Sequence, residues 1–337
     1  MTTSSARGRR FKTLASIAIG LTSFIVAACS SENGLTSGSN VVPNRAAHFD
    51  TSPTPTPYKY EYNTVDDEGG STTFNRVLGM NDLSQVVGYY SGYSVTRGFT
   101  STPPYTKFKV ISYPNSQSSV ATSITNNRII GGYFLDTGHG ESTLGFLRDR
   151  GLWSIIKDIH TPKELNSVNE VLGVNSNVIA VGYYVDAYGI DQAFAEASRH
   201  FTALRPPGSL STRATGINSR GDMVGSAVLS NGQTVGWVYR SGVYTEFSAP
   251  NSNDTEPTSA NIQGQIAGSY VDGSGATHGF VVRSPGNPTE AFWQTIDEPN
   301  AVGTTVVTTI NNHHAISGWY VDAYGNNNGF VGTITSP

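Results

Sequence analysis

Two arginines and two glutamates stand at equivalent places in the chain, where their charges could meet and hold a ligand. Arg76, Glu170, Arg213 and Glu256 each lie five residues before a recurring Asn, and Val120 and Val306 fill the same place in two further copies of the pattern. Gathered around one opening, such side chains bind polar groups through charge-assisted hydrogen bonds. Two carboxyls roughly 5 to 10 Å apart across a cleft could also cleave a glycoside, one as acid and the other as base or nucleophile. Glu170 and Glu256 are the pair that a glycoside hydrolase or lyase would use. The blander reading is that the four charges pair with one another.

A second set of carboxylates recurs at Asp136, Asp186, Asp272 and Asp322. Three of them open the segments Asp186-Ala187-Tyr188-Gly189, Asp272-Gly273-Ser274-Gly275 and Asp322-Ala323-Tyr324-Gly325. An Asp three residues before a Gly is ordinary turn chemistry, the carboxylate capping backbone N–H groups while the Gly takes positive φ. Cation or sugar binding is the sharper alternative, with Asp186 and Asp322 as its candidates. Other catalytic signatures are missing: there is no Gly-x-Ser-x-Gly elbow, no His-Glu-x-x-His and no phosphate-binding Gly loop. His313 and His314 are the one adjacent histidine pair, and they stand where other copies carry turn residues. No metal or cofactor is expected from them.

A six-fold repeat must position these residues. Its glycines are Gly88, Gly132, Gly182, Gly225, Gly268 and Gly318. Seven residues upstream of them stand Asn81, Thr125, Asn175, Asn218, Asn261 and Asn311. Downstream come the dipeptides Gly98-Phe99, Gly145-Phe146, Ala193-Phe194, Gly236-Trp237, Gly279-Phe280 and Gly329-Phe330. Each copy holds four strand-like runs separated by turn clusters, and residues 58–337 divide into six units of about 47, the size of a four-stranded propeller blade. A β-solenoid or a pair of sandwiches is the rival architecture. The last copy stops after its third run, but Glu61-Tyr62-Asn63-Thr64-Val65-Asp66 matches the fourth run of the fifth copy, Phe292-Trp293-Gln294-Thr295-Ile296-Asp297. An all-β fold follows, a six-bladed β-propeller whose last blade is closed by the N-terminal strand, with no open edge. The run ending at Asn would then be innermost. Small residues two places before the Asn column, Gly79, Ser123, Gly173, Gly216, Ser259 and Thr309, suit strands crowding an axis.

Composition agrees. The chain has 37 Gly and 17 Tyr in 337 residues and only 14% charged residues, a poor recipe for helix bundles. Residues 1–28 read as a signal peptide, with a basic start at Arg7, Arg9, Arg10 and Lys12, an apolar stretch from Leu14 to Ala28 and then Cys29. Val26-Ala27-Ala28-Cys29 resembles a bacterial lipobox, which implies lipidation of Cys29; the bland alternative is a free thiol beside a membrane anchor. Ser30 after the Cys implies the outer membrane or cell surface. Residues 29–57 are rich in Ser, Thr, Asn, Gly and Pro and read as a disordered tether. Cys29 is the single cysteine, so the folded part has neither a disulfide nor a thiolate metal site. Of 21 basic residues four leave with the signal, and 17 remain against 25 acidic ones, a net charge of −8. Nucleic acid is excluded as a partner by that balance.

The phrase Ile217-Asn218-Ser219-Arg220-Gly221-Asp222-Met223-Val224-Gly225, with Gln192-Ala193-Phe194 and His278-Gly279-Phe280, resembles the HAF-type bacterial extracellular repeat. The resemblance runs over residues 70–333. It implies a secreted or surface protein of propeller-like fold and carries no assigned reaction. Many members end in a transmembrane sorting tail, whereas this chain ends Thr335-Ser336-Pro337, so anchoring through Cys29 would take its place. The expected protein is a monomeric, envelope-anchored module that binds a glycan, a peptide or an envelope protein. A hydrolase or lyase and a purely structural spacer stay open beside it.

Overall fold

A computed structural model describes residues 56–336, apart from 67–73, 93–94, 138–141, 159, 161–166 and 288–289. The signal peptide, Cys29 and nearly all of the tether fall outside the described residues.

Regular structure among the described residues is β-strand. The chain first lays down β1 (Lys59–Val65). A first sheet follows as β2 (Asn75–Met80), β3 (Val86–Gly92), β4 (Val95–Ser101) and β5 (Lys109–Ile111). The second is β6 (Ser119–Ile124), β7 (Ile130–Asp136), β8 (Ser142–Asp149) and β9 (Leu152–Ile156). The third is β10 (Asn169–Val174), β11 (Ala180–Val185), β12 (Asp191–Ala197) and β13 (His200–Leu204). In the fourth are β14 (Ser209–Ile217), β15 (Met223–Leu229), β16 (Thr234–Arg240) and β17 (Val243–Phe247). The fifth holds β18 (Asp254–Ala260), β19 (Ile266–Val271), β20 (Thr277–Arg283) and β21 (Phe292–Ile296), and a single parallel pairing of Thr234 with Asp254 links it to the fourth as one eight-stranded sheet. The last three strands, β22 (Thr305–Ile310), β23 (Ile316–Val321) and β24 (Asn327–Ser336), form a sixth sheet with β1, in the order β22-β23-β24-β1. As the sequence match implies, β1 lies antiparallel along β24, with Tyr62 opposite Gly332 and Val65 opposite Gly329.

The repeat residues are the parts of one packing unit. Each repeat glycine faces an aromatic directly across the ladder: Gly88 with Phe99, Gly132 with Phe146, Gly182 with Phe194, Gly225 with Trp237, Gly268 with Phe280 and Gly318 with Phe330. All six aromatic side chains are fully buried, each contributing about 1.5–3 kcal/mol of apolar burial. Only glycine fits beneath them, because a Cβ at Gly225 or Gly318 would run into the Arg213 or Val306 carbonyl and press on the ring of Trp237 or Phe330.

All six first strands carry a bulge at one place, between Val77 and Gly79, Ala121 and Ser123, Val171 and Gly173, Ala214 and Gly216, Pro257 and Ser259, and Val307 and Thr309. The extra residue is Thr in four copies, and the bulge aims its hydroxyl sideways at the next sheet. Thr122 donates to the Val171 carbonyl, Thr215 to Pro257, Thr258 to Val307 and Thr308 to Val77. The last of these joins the sixth sheet to the first. Small residues follow the bulge for a visible reason, since a Cβ on Gly79 or Gly216 would meet the backbone of Ser123 or Ser259 in the neighbouring first strand.

The Asn column does two jobs. Its Oδ1 caps its own turn, as Asn218 accepts the Arg220 and Asp222 N–H groups. Its Nδ2 reaches the equivalent carbonyl of the next sheet: Asn81 to Thr125, Asn175 to Asn218, Asn218 to Asn261, Asn261 to Asn311 and Asn311 back to Asn81. Thr125 keeps the cap, accepting the Ile129 N–H at 3.0 Å, but it has no amide to continue the series. His313 and His314 lie in the sixth of these turns, the His313 N–H donating to Asn311 Oδ1 and His314 taking a φ of 62°. The sequence reading of them as turn residues agrees with that geometry.

Candidate functional site

Strand direction sorts the loops between two ends of the sheets. First strands finish at the Asn turns, so their starts, the turns from second to third strand and the returns from fourth to first lie at the other end, the mouth. There the charged column meets a second column that sequence reasoning missed. Arg76 stands directly opposite Tyr89, Val120 opposite Tyr133, Glu170 opposite Tyr183, Arg213 opposite Ser226, Glu256 opposite Ser269 and Val306 opposite Trp319. Side chains paired in this way share a face. The signal in the sequence is that the residue after the repeat glycine varies among Tyr, Ser and Trp.

The four charges do not pair with one another. Each arginine turns instead to the start of the third strand in the preceding sheet. Arg213 Nε donates to Asp191 Oδ2 at 2.6 Å, and Arg76 Nε donates to Asn327 Oδ1 at 3.0 Å. Both guanidinium groups also lie on aromatic rings, Arg213 at 4.5 Å from Tyr183 and Arg76 at 3.6 Å from Trp319 and 4.7 Å from Phe74. Glu170 accepts the Tyr183 hydroxyl at 3.1 Å. Among the described residues neither Glu170 nor Glu256 has an ion-pair partner, and Glu256 accepts no side-chain hydrogen bond. Two places before it on β18, Asp254 has a buried Oδ1 with no partner.

These contacts decide the electrostatics. Burial pushes Glu170 up to about 7 although Arg213 and the Tyr183 hydroxyl pull it down. Burial also pushes Glu256 up to about 7, with Asp254 adding to the rise and Arg213 opposing it. Three residues beside them are more than nine-tenths buried, Tyr133 and Ser226 at 8% exposed and Ser269 at 4%, and among the described residues their hydroxyls have no hydrogen-bond partner. On the flank of the first three sheets the lining is apolar, with Tyr89, Val120 and Tyr133 packed against Phe74, Leu78 and Leu172.

The aspartate turns are built as the turn reading expects. Asp186 Oδ1 accepts the N–H groups of Tyr188 and Ile190, and its Oδ2 accepts Gln192 Nε2. Asp322 does the same with Tyr324, Asn326 and Asn328. Asp272 is capped by Ser274 and Ala276 and also bonded by His278 Nε2, whose Nδ1 lies 2.8 Å from Asp297. Gly189, Gly275 and Gly325 have the positive φ the turns need. Burial opposes ionisation of Asp186 and Asp322, but the hydrogen bonds outweigh it and hold both below the usual carboxylate range. Asp136 closes β7 beside a turn outside the described residues. Tyr188 and Tyr324, at the tips of two of these turns, are 88% and 90% exposed.

At the opposite end a cavity of about 150 Å³ opens among the Asn turns, lined by Asn81, Asn175, Asn218, Asn261 and Asn311. The Asn side chains of its wall are engaged between sheets, while Ser123 Oγ, also in the lining, is buried without a partner. No group of His, Cys, Asp and Glu side chains able to hold a metal is present among the described residues.

Sequence comparison matches no protein-family model and no curated protein. Solved structures are similar in fold. TolB from Acinetobacter baumannii superposes with a TM-score of 0.52 at 10% identity, over 75% of this chain and 64% of that one, so the match spans less than two thirds of TolB. The Aleuria aurantia lectin in complex with Fucα1-6GlcNAc superposes with a TM-score of 0.48 at 12% identity, over 79% of this chain and 96% of that one. AofleA from Arthrobotrys oligospora gives a TM-score of 0.46 at 12% identity, over 82% and 84%. At such identities the TolB likeness speaks for the fold alone.

Proposed function

We propose that the six sheets are the blades of a closed six-bladed β-propeller, and that the protein is a binding module taking a polar ligand, a glycan, a peptide or another envelope protein, at its mouth. One observation carries this reading: at the mouth Glu256 and the buried Asp254 Oδ1 lack partners beside the unbonded hydroxyls of Ser226 and Ser269, whereas at the other end the Asn column bonds from sheet to sheet. Unpaired buried hydroxyls and carboxyls cost stability and are retained where something outside the chain completes them. Glycan and peptide arrays probed with the full-length protein should yield a ligand whose affinity falls tenfold or more in Arg213→Ala or Glu170→Gln, with melting temperature unchanged. A ligand indifferent to all mouth variants would remove the site assignment.

The two glutamates near neutral pKa also favour a second reading, a glycoside hydrolase or lyase using Glu170 and Glu256. Turnover of the bound glycan, abolished by either Glu→Gln change while binding persists, would distinguish it. HAF-type membership and anchoring in the outer membrane through a lipidated Cys29 complete the proposal. Palmitate labelling that persists in Cys29→Ala would overturn the anchor.

A further inference from the structure

Buried polar atoms without partners stand at several places around the mouth, on Asn75, Thr143, Ser167 and Asp254. Acidic groups gather on the wall formed by the fourth and fifth sheets, where Asp254, with its unpartnered Oδ1, and Glu256 stand on β18 with Ser269 directly opposite Glu256 and Ser226 opposite Arg213. On that side Glu170, Asp191, Asp254 and Glu256 face a single cation, Arg213, and Arg213 is already committed to Asp191 at 2.6 Å. The wall therefore lacks positive charge. A metal ion does not answer the need, because a hard cation wants six or more oxygen ligands in a shell and no such group converges here.

Resting on the reading of the mouth as a binding site, we propose that the group it receives is the ammonium of a lysine side chain, presented by a peptide or a loop of a partner protein and held by Glu256 and the hydroxyls of Ser226 and Ser269. An ammonium has three N–H donors and no acceptor, and this wall offers Glu256 and Ser269 on the paired strands β18 and β19 and Ser226 on β15, which packs against β18. Asp254 adds charge behind Glu256. Depth selects the carrier. Ser226 and Ser269 are more than nine-tenths buried, so the cation must arrive on a slender stem, which the four methylenes of lysine supply and an amine on a sugar ring does not. A guanidinium would bring a broad planar fork to single-acceptor hydroxyls. Near-neutral carboxyls fit as well, since an arriving ammonium favours their ionised form.

Saturation-transfer NMR on the full-length protein reads weak binding and tests this with three probes: a capped Ala-Gly-Lys-Gly-Ala peptide, the same peptide with Nε-acetyl-lysine, and a glucosamine trimer. The lysine peptide should give transfer centred on its terminal methylenes, the acetylated peptide should lose it about tenfold or more, and the sugar should give none. Glu256→Gln should weaken the lysine peptide about tenfold with no loss of melting temperature, and Ser269→Ala should weaken it severalfold at unchanged melting temperature. Equal binding of the two peptides, absence of lysine-peptide binding, or indifference to both variants overturns the lysine assignment. If a ligand from the arrays, or the glucosamine trimer, binds in a Glu256-dependent way while the lysine peptide does not, the mouth survives as a site and lysine does not. If every ligand ignores the mouth variants, the site itself falls.

Discussion

The two ends of the six first strands use their repeat positions in different ways. At the Asn end each conserved position of the repeat is spent twice, Asn218 capping the Arg220 and Asp222 N–H groups and clasping the Asn261 carbonyl. At the mouth the equivalent positions differ from copy to copy, and hydroxyls as deep as Ser269 stay unpaired. Regularity marks the end that holds the sheets together, because one hydrogen-bond solution repeated six times needs one residue type. Irregularity marks the end free to answer to something outside the chain.

The strongest break of this comparison removes its frame. Deleting residues 58–66 takes away β1, uncovers the whole edge of β24 and strips the contacts of Tyr58 with Gln294 and Gln265. Val65, fully buried between the sixth and first sheets, goes with it. Calorimetry should find no cooperative transition, and the protein should aggregate through its bare edge. A monomeric product with an unchanged melting temperature would break the claim that β1 closes the ring.

Next in size is a single clasp. Asn218→Ala deletes two turn caps and one bond between sheets, and at about 1 kcal/mol for each lost bond, more where a buried N–H is left alone, it should cost about 2–4 kcal/mol in denaturant unfolding. Glu170→Gln at the mouth should cost less than a third of that. Equal losses at the two ends would erase the contrast.

Most of the frame was legible in the sequence because its causes are local or periodic. The Gly and aromatic columns lie at fixed spacings within each copy, and their pairing across the ladder, Gly225 under Trp237 for instance, follows from a hairpin register. The match of Glu61–Asp66 to Phe292–Asp297 foretold β1, since strands doing the same job bury the same faces. The charges were placed correctly and partnered wrongly. Arg213 finds Asp191 and Arg76 finds Asn327 across a boundary between sheets, at sequence separations of 22 and 251 that no periodicity encodes. The six bulges were also invisible, because Leu78 and Thr122 read as ordinary strand residues until register shows them unpaired.

pH separates the ends more finely. Glu170 and Glu256 bind protons up to about 7 in the folded protein, against about 4.5 when unfolded, so the native state holds more protons between these values. Stability from these groups is therefore greatest below about 4.5, falls as pH rises toward 7 and stays level above it. Arg213, Asp191, Tyr183 and Asp254 are the charged and titratable groups that face them. Glu256→Gln should flatten this decline and make the protein more stable than wild type at pH 8, read by denaturant midpoints at pH 5 and pH 8. An Asn-end change such as Asn218→Ala should shift both midpoints alike. A midpoint difference untouched by Glu256→Gln would show that the carboxyl is not short of partners.

The smallest effect asks whether the Asn end is as purely structural as its regularity implies. Between the second and third sheets the clasp is open, because Thr125 caps its turn without reaching the Asn175 carbonyl, although Thr122 still bonds Val171 nearby. Thr125→Asn restores the residue found at the other five positions. Its Oδ1 should keep the Ile129 N–H, and its Nδ2 should gain the Asn175 carbonyl as Asn175 gains that of Asn218. One added neutral hydrogen bond between sheets is worth about 0.5–1.5 kcal/mol, and ligand affinity at the mouth should not change. A variant that loses stability, or alters binding, would mean that the open junction is kept for a purpose of its own and that the two ends are coupled.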